Sequence, residues 1–286
     1  MTLCDQEPMI QPDRDAVLAV VFESIDKMTP QAYFRELKSK FGLSSRAART
    51  LLKNCIDDQQ LCYQYHFGST YIEKSFLRPV RMSNHFVLIP SGVESGSKNS
   101  DDIEIVIEHG ISFGSGNHPT TQLCLQAIDY CFFELQLFAD QKKRMGADIG
   151  TGSGVLALAL CRAGAFACKA FEIDPVSVYE ARKNIVHNHL EQNIEVLADF
   201  MPESKNTYDL ICANLRFPTL KSLSGMIQSN LKENGIAILS GVREWEKQDL
   251  IEQFSNKGFE TAWQADDKNW SAFVLRKKEN FVKLKP

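Results

Sequence analysis

The apolar positions of this chain recur at helical spacing in its first third, then alternate between strand-like and helical runs. Val17, Val20, Val21, Phe22 and Ile25 recur at i, i+3 and i+4 offsets, which predicts a helix over residues 15–28. Thr29-Pro30 is a capping residue followed by the proline that opens a second helix, and Gly42 stops that helix after Phe41. Ser44 or Ser45 then caps a third helix through Arg46, Leu51, Leu52 and Ile56. Two strand-like runs, 61–66 and 70–76, meet at Phe67-Gly68-Ser69. Residues 78–90 read as one strand, 92–100 as a polar loop and 103–107 as another strand. After residue 118 helical runs (119–134, 154–163, 175–189, 219–232, 244–257) interleave with strand-like runs (145–149, 168–173, 194–197, 208–213, 235–240, 259–265, 270–276). That alternation predicts an α/β fold with a mostly parallel sheet covered on both faces. The last two strands, with little between them, predict an antiparallel pair at one edge.

Composition adds bounds. The 286 residues are enough for two domains, placed at 1–78 and 79–286. Hydrophobic residues make up 44% and charged residues 24%, which suffices for a real core. The net charge of -4 gives no global attraction to nucleic acid or an anionic membrane. No apolar run approaches a membrane span, and residues 1–13 read as a polar leader rather than a signal peptide. None of the eight cysteines forms C-x-x-C, and most sit in apolar runs, so a reduced cytoplasmic protein is expected. The scattered histidines predict no metal site.

The candidate chemistry starts at Asp148-Ile149-Gly150-Thr151-Gly152-Ser153-Gly154, followed by the apolar helix Val155-Leu156-Ala157-Leu158-Ala159-Leu160. Alternate glycines let backbone approach a ligand closely, and the helix N-terminus aims free N–H groups at it. The spacing is neither G-x-G-x-x-G nor a phosphate loop ending in Gly-Lys. It resembles the first motif of class I S-adenosylmethionine (SAM) methyltransferases. Glu172, 22 residues after Gly150, is placed to accept both hydroxyls of a ribose. Asp199, with apolar Phe200 beside it, follows the next strand, where related folds receive an adenine; a simple turn fits that position equally well. Asn214 ends the strand after that, beside the switch point where open α/β sheets bind ligands. Phe113-Gly114-Ser115-Gly116-Asn117-His118-Pro119-Thr120-Thr121 is a glycine-rich loop opening a helix, suited to a carboxylate and able to fold over a cofactor. His118 reads as a structural loop residue, and no dedicated general base stands out.

These segments together are similar to the PrmA family, methyltransferases that modify amino groups of a large-subunit ribosomal protein. The likeness runs from about Pro79 to Lys277 and includes Leu239-Ser240-Gly241-Val242 and Trp270-Ser271-Ala272-Phe273. It implies a seven-stranded, mostly parallel Rossmann-like class I sheet, SAM as methyl donor, and a protein amine, such as one on a ribosomal protein, as acceptor. It carries cofactor contacts to Thr121, Gly150, Glu172 and Asn214; the residues themselves add Phe113, Asp148, Gly152 and Asp199. Asn214 is the one residue assigned to the reacting amine. Two positions depart from the family: Glu172 replaces the usual Asp, and Arg216-Phe217-Pro218 replace small residues.

Residues 1–78 depart most. Three short helices and a hairpin resemble a small winged-helix α+β domain, whereas the family carries a different α/β recognition domain. Arg46, Arg49 and Lys53 share one face of the third helix, and residues 31–81 hold nine Lys/Arg against four Asp/Glu. The domain is expected to dock either an acidic protein or nucleic acid. Two rival functions follow: an RNA or DNA methyltransferase guided by that domain, or a SAM-sensing regulator without catalysis. A monomer is the expectation for assembly.

Overall fold

The computed structural model describes residues 12–66, 68–94, 96, 99–108, 118–136 and 143–279. Phe113, the rest of the 109–117 loop and the leader up to residue 11 lie outside the described residues. The chain forms two compact units, Met1–Leu77 and Arg78–Pro286.

In the first unit α1 (Arg14–Phe22), α2 (Pro30–Phe41) and α3 (Ser45–Asp57) precede an antiparallel hairpin of β1 (Leu61–His66) and β2 (Ser69–Lys74). The Thr29 and Ser44 side chains accept backbone N–H bonds from Ala32 and Ala47, and Gly42 closes α2 at φ 65°. Val17, Tyr33, Leu37, Ala48, Leu52, Leu61 and Ile72 fill the core. The first helix is shorter than its apolar spacing predicts. The Met28 carbonyl accepts from Ile72 N at 2.7 Å and Ile25 is exposed, so this stretch joins the hairpin instead of continuing α1.

The second unit begins with β3 (Val80–Arg81), β4 (Phe86–Pro90) and β5 (Ile103–Ile107), in a small sheet ordered β3-β4-β5. The single strand expected over 78–90 is therefore two. Asp129 breaks it: its carboxylate accepts from Ser83 Oγ, His85 N and the His85 ring, which fixes a turn. Then come α4 (Pro119–Asp129) with a π-turn to Glu134, β6 (Met145–Ile149), α5 (Val155–Ala163), β7 (Ala167–Phe171) and α6 (Pro175–His187). β8 (Ile194–Leu197), β9 (Tyr208–Asn214), α7 (Phe217–Asn230), β10 (Leu231–Arg243), α8 (Lys247–Ser255), β11 (Phe259–Asp267) and β12 (Trp270–Lys277) complete it.

The large sheet is ordered β11-β12-β10-β9-β6-β7-β8. β6 through β10 run parallel and β12 pairs antiparallel with both β10 and β11, as the pattern predicts. The sheet order reverses between β6 and β9, so their carboxyl ends frame a crevice. Beneath it Ile211, Leu239, Phe254 and Phe273 are buried, each contributing about 1.5–3 kcal/mol, with Ala213 among them. The seven described cysteines are free. Burial pushes the thiols of Cys124, Cys131, Cys168 and Cys212 up, consistent with packing residues. Among the described residues no helix is long and apolar enough to cross a membrane, and no side-chain cluster suits a metal ion.

Candidate active site at the sheet's carboxyl edge

The loop after β6 is held by its neighbours' backbone. Gly150 N and Thr151 N both donate to Phe171 O, at 2.9 and 3.1 Å, which ties the loop to the end of β7. Gly150, Gly152 and Gly154 take φ values of 68°, 55° and 84°, the left-handed region that favours glycine. A Cβ on Gly150 would lie 2.6 Å from Leu215 Cδ2, so the chain after β9 packs directly on the loop. On the other side α6 grips it, with Asn184 Nδ2 donating to Ser153 O at 2.8 Å. Asn184 and Asn188 also bond the backbone of Glu108 and Val106 beside β5. That pair of amides was not singled out from sequence. The i, i+4 spacing of two asparagines on a helix is its only local signal.

Asp148 lies under the loop, 1% exposed. One carboxylate oxygen accepts from Thr151 Oγ1 at 2.6 Å and Ala157 N at 3.2 Å; the other has no partner among the described residues. Burial pushes its pKa up to about 7, opposed by these two hydrogen bonds and aided by the negative charge of Glu172. Its geometry is that of a residue that shapes the loop. Glu172 sits just past β7, not inside it. Its Oε2 accepts from Gly152 N at 3.0 Å, and its Oε1 accepts from Ile173 N and Asp174 N at 2.8 and 3.0 Å. The carboxylate is thereby fixed beside the glycine loop. Ile173 and Phe200, apolar yet more than half exposed, follow β7 and β8 at the same edge, and Asp199 lies beside Phe200 with its carboxylate on Phe200 N.

Opposite stand Asn214 and the first turn of α4. Asn214 Nδ2 donates to Thr120 Oγ1 at 3.1 Å, across 94 residues of sequence. Thr120 Oγ1 also lies 2.8 Å from His118 Nδ1, which caps α4. The His118 ring meets the Trp270 ring edge-on at 5.0 Å, and Arg243 stacks on Trp270 at 3.7 Å. Thr121 is fully buried, and its hydroxyl and Asn214 Oδ1 are buried without a partner among the described residues.

A glycine loop in left-handed backbone conformations, a fixed carboxylate, two exposed apolar side chains and buried oxygens without a partner among the described residues suit a ligand with a diol, a flat ring and a polar tail. SAM has those parts. Of the sequence-predicted residues, the structure brings Thr121, Asp148, Gly150, Gly152, Glu172, Asp199 and Asn214 to this edge. Arg46, Arg49 and Lys53 lie in the other unit, exposed on α3 and without an ion pair among the described residues.

Comparison with known proteins decides the family. The model of the ribosomal protein L11 methyltransferases, PrmA, matches residues 69–278. The chain belongs to that family. PrmA membership makes it a methyltransferase. A ribosomal protein L11 methyltransferase of Staphylococcus haemolyticus is 29% identical over 257 residues, covering 86% of this chain and 78% of that protein. The Bacillus subtilis protein of the same name is 31% identical over 205 residues, 71% of this chain and 63% of that one. The crystal structure of a ribosomal protein L11 methylase from Lactobacillus delbrueckii superposes with a TM-score of 0.62 at 25% identity, covering 72% of this chain and all of that one. The PrmA match starts inside β2, so α1 to α3 fall outside it.

Proposed function

We propose that the chain transfers methyl groups from SAM to amino nitrogens of a ribosomal protein of the L11 kind, with Asn214 holding the acceptor amine. The observation that carries this reading is the Asn214 side chain. Its nitrogen is bonded to Thr120, and its oxygen is buried and unpartnered among the described residues, one strand from the glycine loop. When bound, SAM supplies an electrophilic methyl group already activated on a sulfonium.

The protein's part is then alignment and desolvation. Glu172 accepts hydroxyls of the ribose, Ile173 and Phe200 pack on the ring with Asp199 beside it, and Gly150, Gly152 and Thr121 receive the methionine end. Phe113 and its loop belong to the same proposed site. A lysine acceptor, with a reference pKa near 10.4, must arrive neutral. Removal from water favours that form. Asn214 Oδ1 accepts an N–H from the neutral amine and so directs its lone pair. The N-terminal unit is read as the docking domain for the acceptor, and the cytoplasm as the place of action.

Arg46, Arg49 and Lys53, exposed and without an ion pair among the described residues, favour one second reading, a nucleic-acid acceptor or scaffold. Incubation with methyl-labelled SAM, purified L11-type protein and separately rRNA distinguishes the two. Label is expected in protein, sensitive to protease, and about 100-fold slower with Asn214→Ala, as for loss of a positioning contact. Label that disappears with nuclease would overturn the protein-acceptor reading.

A further inference from the structure

We propose that His118 and Thr120 set which way round the Asn214 amide faces, so that Oδ1 and not Nδ2 meets the acceptor amine. The inference rests on the reading of Asn214 as the amine holder. An asparagine amide has two ends of nearly equal size and opposite hydrogen-bonding character. A neutral amine's lone pair is directed usefully only if the amide offers its oxygen to an N–H. Turned round, the NH2 would donate to that lone pair and occupy the electrons the reaction needs.

The hydrogen-bond arithmetic selects one orientation. His118 Nδ1 accepts the backbone N–H of Thr120 at 3.3 Å as the cap of α4, so that nitrogen carries no proton. The Thr120 hydroxyl, 2.8 Å away, therefore donates its single proton to the ring. Only lone pairs are left on Thr120 Oγ1, and Asn214 must present its NH2 there, at 3.1 Å. Asn214 Oδ1 is turned the other way. Thr120 is fully buried, so no bulk water competes for its hydroxyl. Trp270 lies edge-on against the His118 ring and is itself packed by Arg243, which restrains the ring. His118 and Thr120 are thus positioning residues that act through Asn214.

The test measures kcat, acceptor KM and SAM affinity for substitutions that separate hydrogen bonding from packing. Thr120→Val keeps the shape and removes the hydroxyl; it is expected to lower kcat about 100-fold while SAM Kd moves less than about threefold. Thr120→Ser restores the hydroxyl and should recover kcat to within about fivefold. His118→Ala frees the Thr120 proton to seek Asn214 Oδ1 and should lower kcat about tenfold, and His118→Asn, whose oxygen can again accept at the cap, should regain most of it. A carboxylate has no wrong way round, so in an Asn214→Asp background Thr120→Val should cost less than about threefold. Full kcat in Thr120→Val, or equal loss in Thr120→Ser and Thr120→Val, overturns the proposal. Full activity in Asn214→Ala instead overturns the reading it rests on, which keeps the two failures apart.

Discussion

The two walls of the site are built by different means. The proposed donor wall is mostly backbone: the loop over 150–154, tied to Phe171 O by Gly150 N and Thr151 N, with the Glu172 carboxylate held on Gly152 N. The acceptor wall is made by side chains from distant places, with Asn214 from β9, Thr120 and His118 from α4, and Trp270 from β12. Backbone walls depend on conformations that only glycine adopts cheaply. Side-chain walls depend on which atoms are donors and which acceptors. The first kind is therefore sensitive to replacement of a glycine, the second to loss of a single polar group.

The largest expected effect breaks both walls at once. Gly241 sits at φ 88° in the β10 bulge, and a Cβ there would lie 2.3 Å from Leu215 O, backbone that cannot move aside like a side-chain tip. Leu215 also covers Gly150. Gly241→Ala is expected to destabilise by about 3 kcal/mol or more, visible as a lower Tm, with activity lost on both substrates. An unchanged Tm would show that the two walls are not joined through Leu215.

Next comes a change confined to the donor wall. Glu172→Ala removes the carboxylate and frees Gly152 N. SAM Kd is expected to rise roughly 10- to 100-fold by calorimetry, the scale of charged hydrogen bonds, with acceptor KM little changed at saturating SAM. An equal rise in acceptor KM would blur the division between walls.

Asp148 gives a third test, through pH. Its pKa is raised in the folded protein to about 7, first by burial, so the folded state binds the extra proton. The stability linked to that proton is fully present below the unfolded-state value near 3.8 and is lost as pH rises through about 7. The loss amounts to ~4 kcal/mol at most. Asn at this position can still accept from Thr151 and Ala157 and cannot ionise. Asp148→Asn should flatten the fall in Tm between pH 5 and 8; an unaltered profile would mean that another group governs it.

The smallest effect concerns the first unit. Reversing charge at Arg46, Arg49 and Lys53 together is expected to leave Tm within a few degrees and SAM affinity unchanged, since exposed unpaired charges each matter by under ~0.5 kcal/mol. Acceptor KM should rise several-fold. A fall in SAM affinity would place α3 against the donor wall.

The donor wall was legible in the sequence because its parts are short-range. A Gly-x-Gly-x-Gly run after an apolar strand and an acid one strand later need only local geometry to meet. The capping residue Thr29 and the terminator Gly42 were legible for the same reason, and Ser44 was one of the two caps the sequence offered for the third helix. The misread elements have long-range causes. Residues 78–90 split because Asp129, more than forty residues on, binds Ser83 and His85. The first helix ends early because Ile72 claims the Met28 carbonyl.

The sequence by itself therefore determined the alternating α/β frame, the glycine loop and the acid beside it, which follow from periodicity and from backbone conformations that few residues tolerate; the likeness to the PrmA family rested on the motif residues themselves. Tertiary structure alone decided that Asp148 lies buried under the loop, bonded to Thr151 and Ala157. It also decided that Leu215 joins Gly150 to Gly241, and that Thr120 takes the Asn214 amide nitrogen and leaves the oxygen turned toward the site. Those outcomes depend on burial and on the single proton of a buried hydroxyl, and neither is written in the spacing of residues along a chain.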